Sequence, residues 1–424
     1  MRDPVPFQHP WPEKLLGEIA KVTVGGTPST AIARYWDGDV PWMASGDIHL
    51  GRIYDVSGRI TDVGLKASNA TLVKPDAVAI ALAGQGKTRG TVALTKTTLC
   101  TNQSVALISP DERELLPAYL YQSWIPRYEE LRNRSAGGGR AGLTKAILEQ
   151  VPVQLPPLAE QRGIAEVLSA LDEQIEAVEH EKAKLTQVLI GAFDDTFGQA
   201  LQAGVTSAGL KSGALTVGWS RVPVLEAASD ILDFRGRTPL KIGMTWGGGD
   251  IPALSANNVQ MGLVNFEKEC YLGSDALYTK WMTQGECAQN DVLMTLEAPL
   301  GNIALVPDNR KYILSQRVIL LKPNKEMMDG RYLSLYLRWR WFQQLLSEES
   351  TGTTAAGIQR KKLEKLPVLV APPGMRDGIT DFLFSLVTQV DDFEAEVAKL
   401  RLQKQGLMRD LLTGKVRIAG GAHA

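Results

Sequence analysis

Cysteine and histidine are scarce: the 424 residues hold three cysteines, Cys100, Cys270 and Cys287, and four histidines. Three scattered thiols build neither a disulfide framework nor a four-ligand metal site, so a reducing compartment, the cytoplasm, is the expected setting. No run approaches the roughly 18 apolar residues that a membrane-spanning helix needs, and MRDPVPFQHPWPEKL at the start lacks the apolar core of a signal peptide. No contact with a membrane is expected. Catalytic signatures are missing as well. The chain has no Asn/Asp-Pro-Pro-aromatic motif for amino-methylation, no glycine-rich cofactor loop after a first strand, no Gly-x-Ser-x-Gly elbow and no His-Glu-x-x-His. His9, His49, His180 and His423 sit in dissimilar contexts, and Glu267-Lys268-Glu269 is a nuclease-like fragment with no accompanying acidic motif. The expectation is a chain with no catalytic site, metal or cofactor of its own.

An excess of either charge is also lacking, with 46 Lys and Arg against 47 Asp and Glu. The balance is uneven along the chain. Residues 160–196 carry nine acids and three bases, and residues 376–412 carry seven acids and five bases. Those stretches sum to −8, which leaves +7 for the remainder of a chain whose total is −1. A near-neutral total therefore conceals a basic remainder, which permits nucleic-acid binding without establishing it.

What is present is a repeat, at a period of roughly 211 to 215 residues. Thr27-Pro28 recurs as Thr238-Pro239. Asp39-Val40-Pro41, closed by Gly51, recurs as Asp250-Ile251-Pro252, closed by Gly262. Gln103-Ser104-Val105-Ala106-Leu107 returns as Gln316-Arg317-Val318-Ile319-Leu320, and Tyr119-Leu120 as Tyr332-Leu333. LEQVPVQLPP (148–157) is answered by LEKLPVLVAPP (363–373). Each half opens with short apolar runs between Gly, Pro, Asn and Asp, such as AVAIAL (77–82) with TVAL (91–94) and DVLMTL (291–296) with NIALV (302–306), which read as strands. Helical patterns interrupt them near Pro117–Arg132 and Arg331–Glu348.

Each half then ends in a proline-rich stop and about 37 residues without proline. Apolar residues recur there at alternating spacings of three and four. The first copy offers Ile164, Leu168, Leu171, Ile175, Val178, Leu185 and Leu189; the second offers Ile379, Leu383, Leu386, Val390, Phe393, Val397, Leu400, Leu407 and Leu411. Lys182 and Lys404 are polar intruders. A heptad pattern this long predicts a coiled-coil seam, with each helix roughly 55 Å long. The order domain, helix, domain, helix predicts an antiparallel pair and a pseudo-two-fold α+β object built of two mixed α/β domains. The expected boundaries are 1–156 and 219–371 for the domains, 157–197 and 372–418 for the helices, 198–218 for a flexible Gly/Ser/Thr-rich connector and 419–424 for a frayed tail.

These features meet in a resemblance. LPPLAEQRGIAEVLSALDEQIEAVEHEKAKL (155–185) resembles the central conserved region of type I restriction-modification specificity subunits, and residues 372–418, with their Leu-Leu-Thr-Gly-Lys ending, resemble the C-terminal conserved region. GGTPST (25–30), VPWMASGDI (40–48), GQGKTRGTVA (84–93) and LEAPLGNIALV (296–306) are similar to the target-recognition domains of that family. One departure is Pro373-Gly374-Met375-Arg376-Asp377, where Leu-x-Glu-Gln-Arg of the first copy has decayed. The resemblance implies a non-catalytic subunit that reads a bipartite, asymmetric site on double-stranded DNA. It implies as partners two methyltransferase subunits, which restriction subunits can join, with S-adenosylmethionine, ATP and Mg held by those partners.

Candidate DNA contacts follow. Gln85, Lys87, Thr88 and Arg89 lie on a glycine-rich hairpin; a Walker A loop is excluded because Ala81 stands where its first glycine belongs and a strand follows. Lys87 and Arg89 suit phosphates or guanine edges, although an ordinary charged turn explains them too. Arg134, Arg140 and Lys145, with Arg360, Lys361 and Lys362, flank the glycine-rich SAGGGRAG and STGTTAAG and suit a backbone clamp. Arg235, Arg237 and Arg317 extend that expectation to the second half. Asn257, Asn258 and Gln260 fall opposite Gly46, Asp47 and His49, so differing polar side chains on a shared scaffold suggest base reading, as does plain loop polarity. The cluster Arg331-Tyr332…Arg338-Trp339-Arg340-Trp341 is explained most simply by a helix with an aromatic face in the core and a basic face in solvent. Two rivals remain: a protein-binding scaffold with duplicated domains, and a nucleotide-dependent regulator built on the Lys87 loop.

Overall fold

A computed structural model describes residues 11–84, 86–134, 142–351 and 356–418. The chain folds as two units, residues 1–179 with 395–424, and residues 180–394. The two long heptad segments are continuous helices, Leu158–Gly198 and Pro373–Leu411. Each contributes one part to each unit.

In the first unit a five-stranded sheet runs in the order Ala20–Val24, Val105–Pro110, Val78–Ala81, Val92–Thr95, Arg52–Ile53. Its neighbours are antiparallel except the last pair, which is parallel. Val78–Ala81 and Val92–Thr95 are buried at every position, which is why they read as unbroken apolar runs and not as alternating ones. A smaller sheet joins Arg59–Ile60, Trp36–Met43 and Cys100–Thr101. The helices Pro117–Trp124 and Tyr128–Asn133 occupy the expected helical stretch. Trp124 and Tyr119 fill the same core as Ile164 and Leu168 of the first long helix and Met408 and Leu411 of the second.

The second unit repeats the plan with one strand fewer. Four antiparallel strands follow the order Ala228–Asp233, Val318–Pro323, Val292–Leu296, Leu300–Leu305. A three-stranded sheet joins Tyr271–Gly273, Ile251–Leu254 and Ile313–Leu314. Gly330–Arg338 and Arg340–Glu349 are the predicted helical stretch, with Trp339 buried at their junction and Arg340 turned outward. The aromatic-basic cluster is thus core on one side and surface on the other.

The helices run antiparallel within the first unit. Glu160 pairs with Arg417, Asp172 with Lys404 and Glu179 with Arg401, one number rising as the other falls. Along the seam Ile164, Leu168, Leu171, Ile175, Leu383, Leu386 and Val397 are buried, while Val178, Leu185, Val390 and Leu400 are half-buried. Ile164 and Leu168 are shared with the core of the first unit, and Ile379 and Leu383 with that of the second.

The stretch 198–218 corrects an expectation. It is not a flexible connector: Ser207–Ser212 is helical, capped by Thr206, and Ala200, Leu201 and Leu210 are buried in the core of the second unit. Arg221 ties it down through hydrogen bonds to the carbonyls of Gly209, Leu210 and Gly213. Its small residues disguised a segment with three apolar anchors.

Candidate nucleic-acid interface

Each unit has an open cleft that includes the repeated Thr and Gln. In the first, a cleft of about 520 Å³ is lined by Gly25, Gly26, Thr27, Lys66, Asn69 and Gln103. In the second, one of about 550 Å³ is lined by Thr238, Trp246, Asn257, Tyr271, Gln316 and Arg317 among others. Thr27 and Gln103 of the first correspond to Thr238 and Gln316 of the second, the residues that mark the repeat in the sequence. The Thr27 hydroxyl donates to the Gln103 side-chain oxygen and closes that corner of the cleft. Gly25 is required there, because a Cβ would stand 2.1 Å from the Thr101 carbonyl oxygen.

The linings differ. The second cleft carries Trp246 stacked on Tyr271, with ring centroids 5.4 Å apart and planes within 7°. Arg317 has φ +67°, a left-handed conformation rarely adopted by a side-chain-bearing residue. Its Nε lies 3.6 Å from Glu297 Oε1, and half of the side chain stays exposed. Arg237, also in the wall, is a fixed strut: its guanidinium donates to the Trp281 carbonyl and to Thr283 Oγ1 and lies 5.1 Å from the Phe234 ring centroid.

The glycine-rich hairpin of the first unit presents Lys87 to solvent, while Thr88 and Arg89 are half-buried. Thr88 Oγ1 stands 3.2 Å from His49 Nε2, so two groups expected on separate loops come together. Arg132 donates to the Arg89 carbonyl from beneath. Gln85 and Arg140 lie outside the described residues.

Several expected phosphate contacts already serve their own domain. Arg134 places two donors on Glu130 Oε1, at 2.7 and 2.9 Å. Arg127 grips the same carboxyl, and its hydrogen bonds, followed by those of Arg134, hold Glu130 down at about 2. Arg235 pairs with Asp233 at 2.7 Å; burial pushes that carboxyl up, but the Arg235 hydrogen bonds outweigh it and the net direction is down. Arg360 pairs with Glu364 at 2.7 Å, and Lys145 lies 3.6 Å from Glu149. Lys361 and Lys362 are exposed.

Asn258 and Asp47 brace their own loops. Asn258 is fully buried; its Oδ1 accepts from Ser255 N at 3.1 Å and from Ser255 Oγ at 2.9 Å, and its amide donates to three loop carbonyls. Asp47 does the equivalent job, its Oδ2 accepting from Ala44 N at 2.9 Å. The repeat pairs Ala44 with Ser255 and Asp47 with Asn258, so the Asp-to-Asn difference preserves one loop brace. Gln260 is half-buried and accepts from Asn265. Asn257 and His49 remain exposed, and Asn257 lines the second cleft.

The Leu-x-Glu-Gln-Arg motif is mostly internal too. Arg417 forks onto both oxygens of Glu160, at 2.6 and 2.8 Å, and Trp11 Nε1 donates to the same carboxyl. Gln161 is fully buried, donating to the carbonyls of Glu114 and Pro156 and accepting from Leu116 N. Only Arg162 of the three is exposed. In the decayed second copy Arg376 makes the anchor, donating to the carbonyls of Ala371 and Met327. Sequence reasoning missed Trp246, Tyr271 and Gln316; the recurrence of Gln103 as Gln316 was the available signal. Among the described residues no group of three or more His, Cys, Asp or Glu is placed to hold a metal ion.

Comparison with known proteins agrees with this picture. Residues 8–187 and 227–399 match the family described as "Type I restriction modification DNA specificity domain". The chain is 22% identical over 413 residues to the type I restriction enzyme MjaVIII specificity subunit of Methanocaldococcus jannaschii, covering 96% of this chain and 93% of that protein. A stretch of 163 residues is 27% identical to the EcoR124I/EcoR124II specificity subunit of Escherichia coli, 38% of this chain and 40% of that one. The crystal structure of the type I S subunit from M. genitalium shares the fold, with a TM-score of 0.64 at 15% identity over 95% of this chain and 96% of that one.

Proposed function

The chain belongs to the type I restriction-modification DNA specificity family, and from that premise we propose that its two clefts read the two halves of a split, asymmetric DNA target. It is the non-catalytic specificity subunit of such a system. The observation that carries the reading is the pair of clefts framed by the same Thr and Gln but lined differently. One frame with two linings suits one docking mode with two base sequences. Arg317, Asn257 and Gln316 supply donors and acceptors for base edges in the second cleft, and Lys66, Asn69 and Gln103 supply them in the first. Exposed Lys87, Lys361 and Lys362 supply phosphate contacts, which fix register and make binding fall with salt. The long helices set the number of base pairs left unread between the halves.

Two methyltransferase subunits are the proposed partners, with Arg162 on the exposed face of the first long helix available to them. S-adenosylmethionine is bound by those subunits, and ATP and Mg by restriction subunits where these join. The test is selection from a random duplex library by the chain together with its methyltransferase. Enrichment of two short defined sequences at a fixed separation is expected. Enrichment of one continuous sequence, or of none, rejects the reading.

A further inference from the structure

Arg52 sits on the outer, parallel strand of the first unit's sheet, directly after the loop that carries Asp47 and His49. Its side chain is only 5% exposed, and it spans from the sheet edge to the first long helix. Nη2 donates to the Ser169 carbonyl at 2.7 Å, and Nη1 donates to Glu173 Oε1 at 3.0 Å. Asp172 and Glu176 stand within 3.7 and 3.9 Å of the guanidinium. Three carboxylates and a carbonyl from two helical turns therefore converge on one buried cation. Two donors of one buried guanidinium held on one helix fix geometry better than a single exposed pair does.

The repeat lacks this clasp in its second copy. Gly51-Arg52 corresponds to Gly262-Leu263, where the segment is joined to the strand Leu300–Leu305 by the Gly262 N–H, which donates to the Ile303 carbonyl at 2.7 Å. Ser169, Asp172, Glu173 and Glu176 correspond to Phe384, Val387, Thr388 and Asp391, by the register that equates Ile164 with Ile379. In place of the clasp lies an open cleft of about 340 Å³, lined by Leu263, Arg338, Phe384, Val387, Thr388 and Asp391. The second unit packs Ile379, Leu383 and Val387 of this helix into its core, and its ion pair to the helix, Arg331 with Asp381, comes from Gly330–Arg338 and not from the sheet edge.

We infer that Arg52 is a positioning residue that locks the first domain's sheet edge and its His49 loop to the long helix, and that the second domain's edge, with Leu263 in that place, lacks the equivalent clasp. One base pair of B-DNA advances a site by about 3.4 Å and rotates it by about 34°. A locked edge cannot follow that rotation, whereas an edge backed by an open cleft can tilt. Arg52 thus sharpens the choice of spacer length, a consequence that rests on the split-target reading proposed above.

The test uses the chain with its methyltransferase and duplexes that hold both selected half-sites at every spacer from two below to two above the preferred length. Arg52→Met is expected to lower the preference for the best spacer over its one-base-pair neighbours at least fivefold, with affinity at the best spacer changed no more than a few-fold. Leu263→Arg with Thr388→Glu builds a clasp against the existing Asp391 and is expected to raise that preference. Amide exchange on the protein without DNA provides a second readout: Arg52→Met speeds exchange at residues 45–53, and the double substitution slows it at residues 256–264. An affinity loss that is uniform across spacers would reduce Arg52 to a stabilising residue and overturn the inference. Unchanged exchange in both variants overturns it as well. If Arg52→Met does not fold, the double substitution alone decides. Failure of the wild-type protein to select any split site would reject the split-target reading, and the exchange data would still decide whether Arg52 locks the edge.

Discussion

Lys404 Nζ lies 2.5 Å from Asp172 Oδ1, and both side chains are nearly withdrawn from solvent, at 12% and 16% exposure. The lysine that interrupts the heptad pattern of the second long helix is therefore one half of a cross-helix pair. Asp172 also accepts from Gln122 Nε2 at 2.7 Å and stands 3.7 Å from Arg52, so it joins both helices to the first domain. A charge at a seam position costs packing but fixes register when its partner exists at one place only.

A double-mutant cycle between Lys404→Met and Asp172→Asn checks this. The coupling energy expected is about 1–3 kcal/mol, because the pair is shielded from water. The same cycle on Lys182 and Glu394, 4.0 Å apart with the glutamate 73% exposed, is expected to give no more than about 0.5 kcal/mol. Denaturant midpoints of the four variants in each cycle supply the numbers.

Asn257 and Asn258 are adjacent and chemically identical, yet their substitutions should separate cleanly. Asn258→Ala removes a buried brace with all its hydrogen bonds and is expected to cost about 2 kcal/mol of stability. Asn257→Ala, in an exposed position on the cleft wall, should leave the unfolding midpoint unchanged and relax one position of the second half-site. Thermal unfolding and repeated target selection on both variants distinguish the roles.

Lys87→Ala should weaken binding by a similar factor for every DNA sequence and lower the slope of log affinity against log salt by about one. Arg317→Ala should instead cost about 1–3 kcal/mol at one base pair and leave the slope nearly unchanged. Titrations at three salt concentrations, on the selected target and on a single-base variant, measure both effects.

Much of the architecture was legible because it repeats. Five short matches in constant order marked the duplication, two of them contributing the Thr and Gln of both clefts, and the heptads located the helices. Three things were hidden for physical reasons. Asp47 and Asn258 differ within a shared frame, which hid the loop-bracing bond they have in common. Each accepts from the backbone N–H three residues before it, and that local bond satisfies Asp and Asn alike. Arg52 was invisible because its partners lie 117 and 121 residues away, a separation that no local pattern encodes. The stretch 198–218 was misjudged from its small residues, while Leu201, Leu210 and the adjoining Trp219 anchor it.

In the proposed reading the long helices determine how far apart the two half-sites lie. One heptad inserted within Gln174–Lys184, matched by one in the opposing helix between Glu394 and Lys404, lengthens the pair by about 10 Å without touching either cleft. Target selection by this variant with its methyltransferase should return both original half-sites with a spacer longer by about three base pairs. An unchanged spacer with an altered half-site would contradict the account.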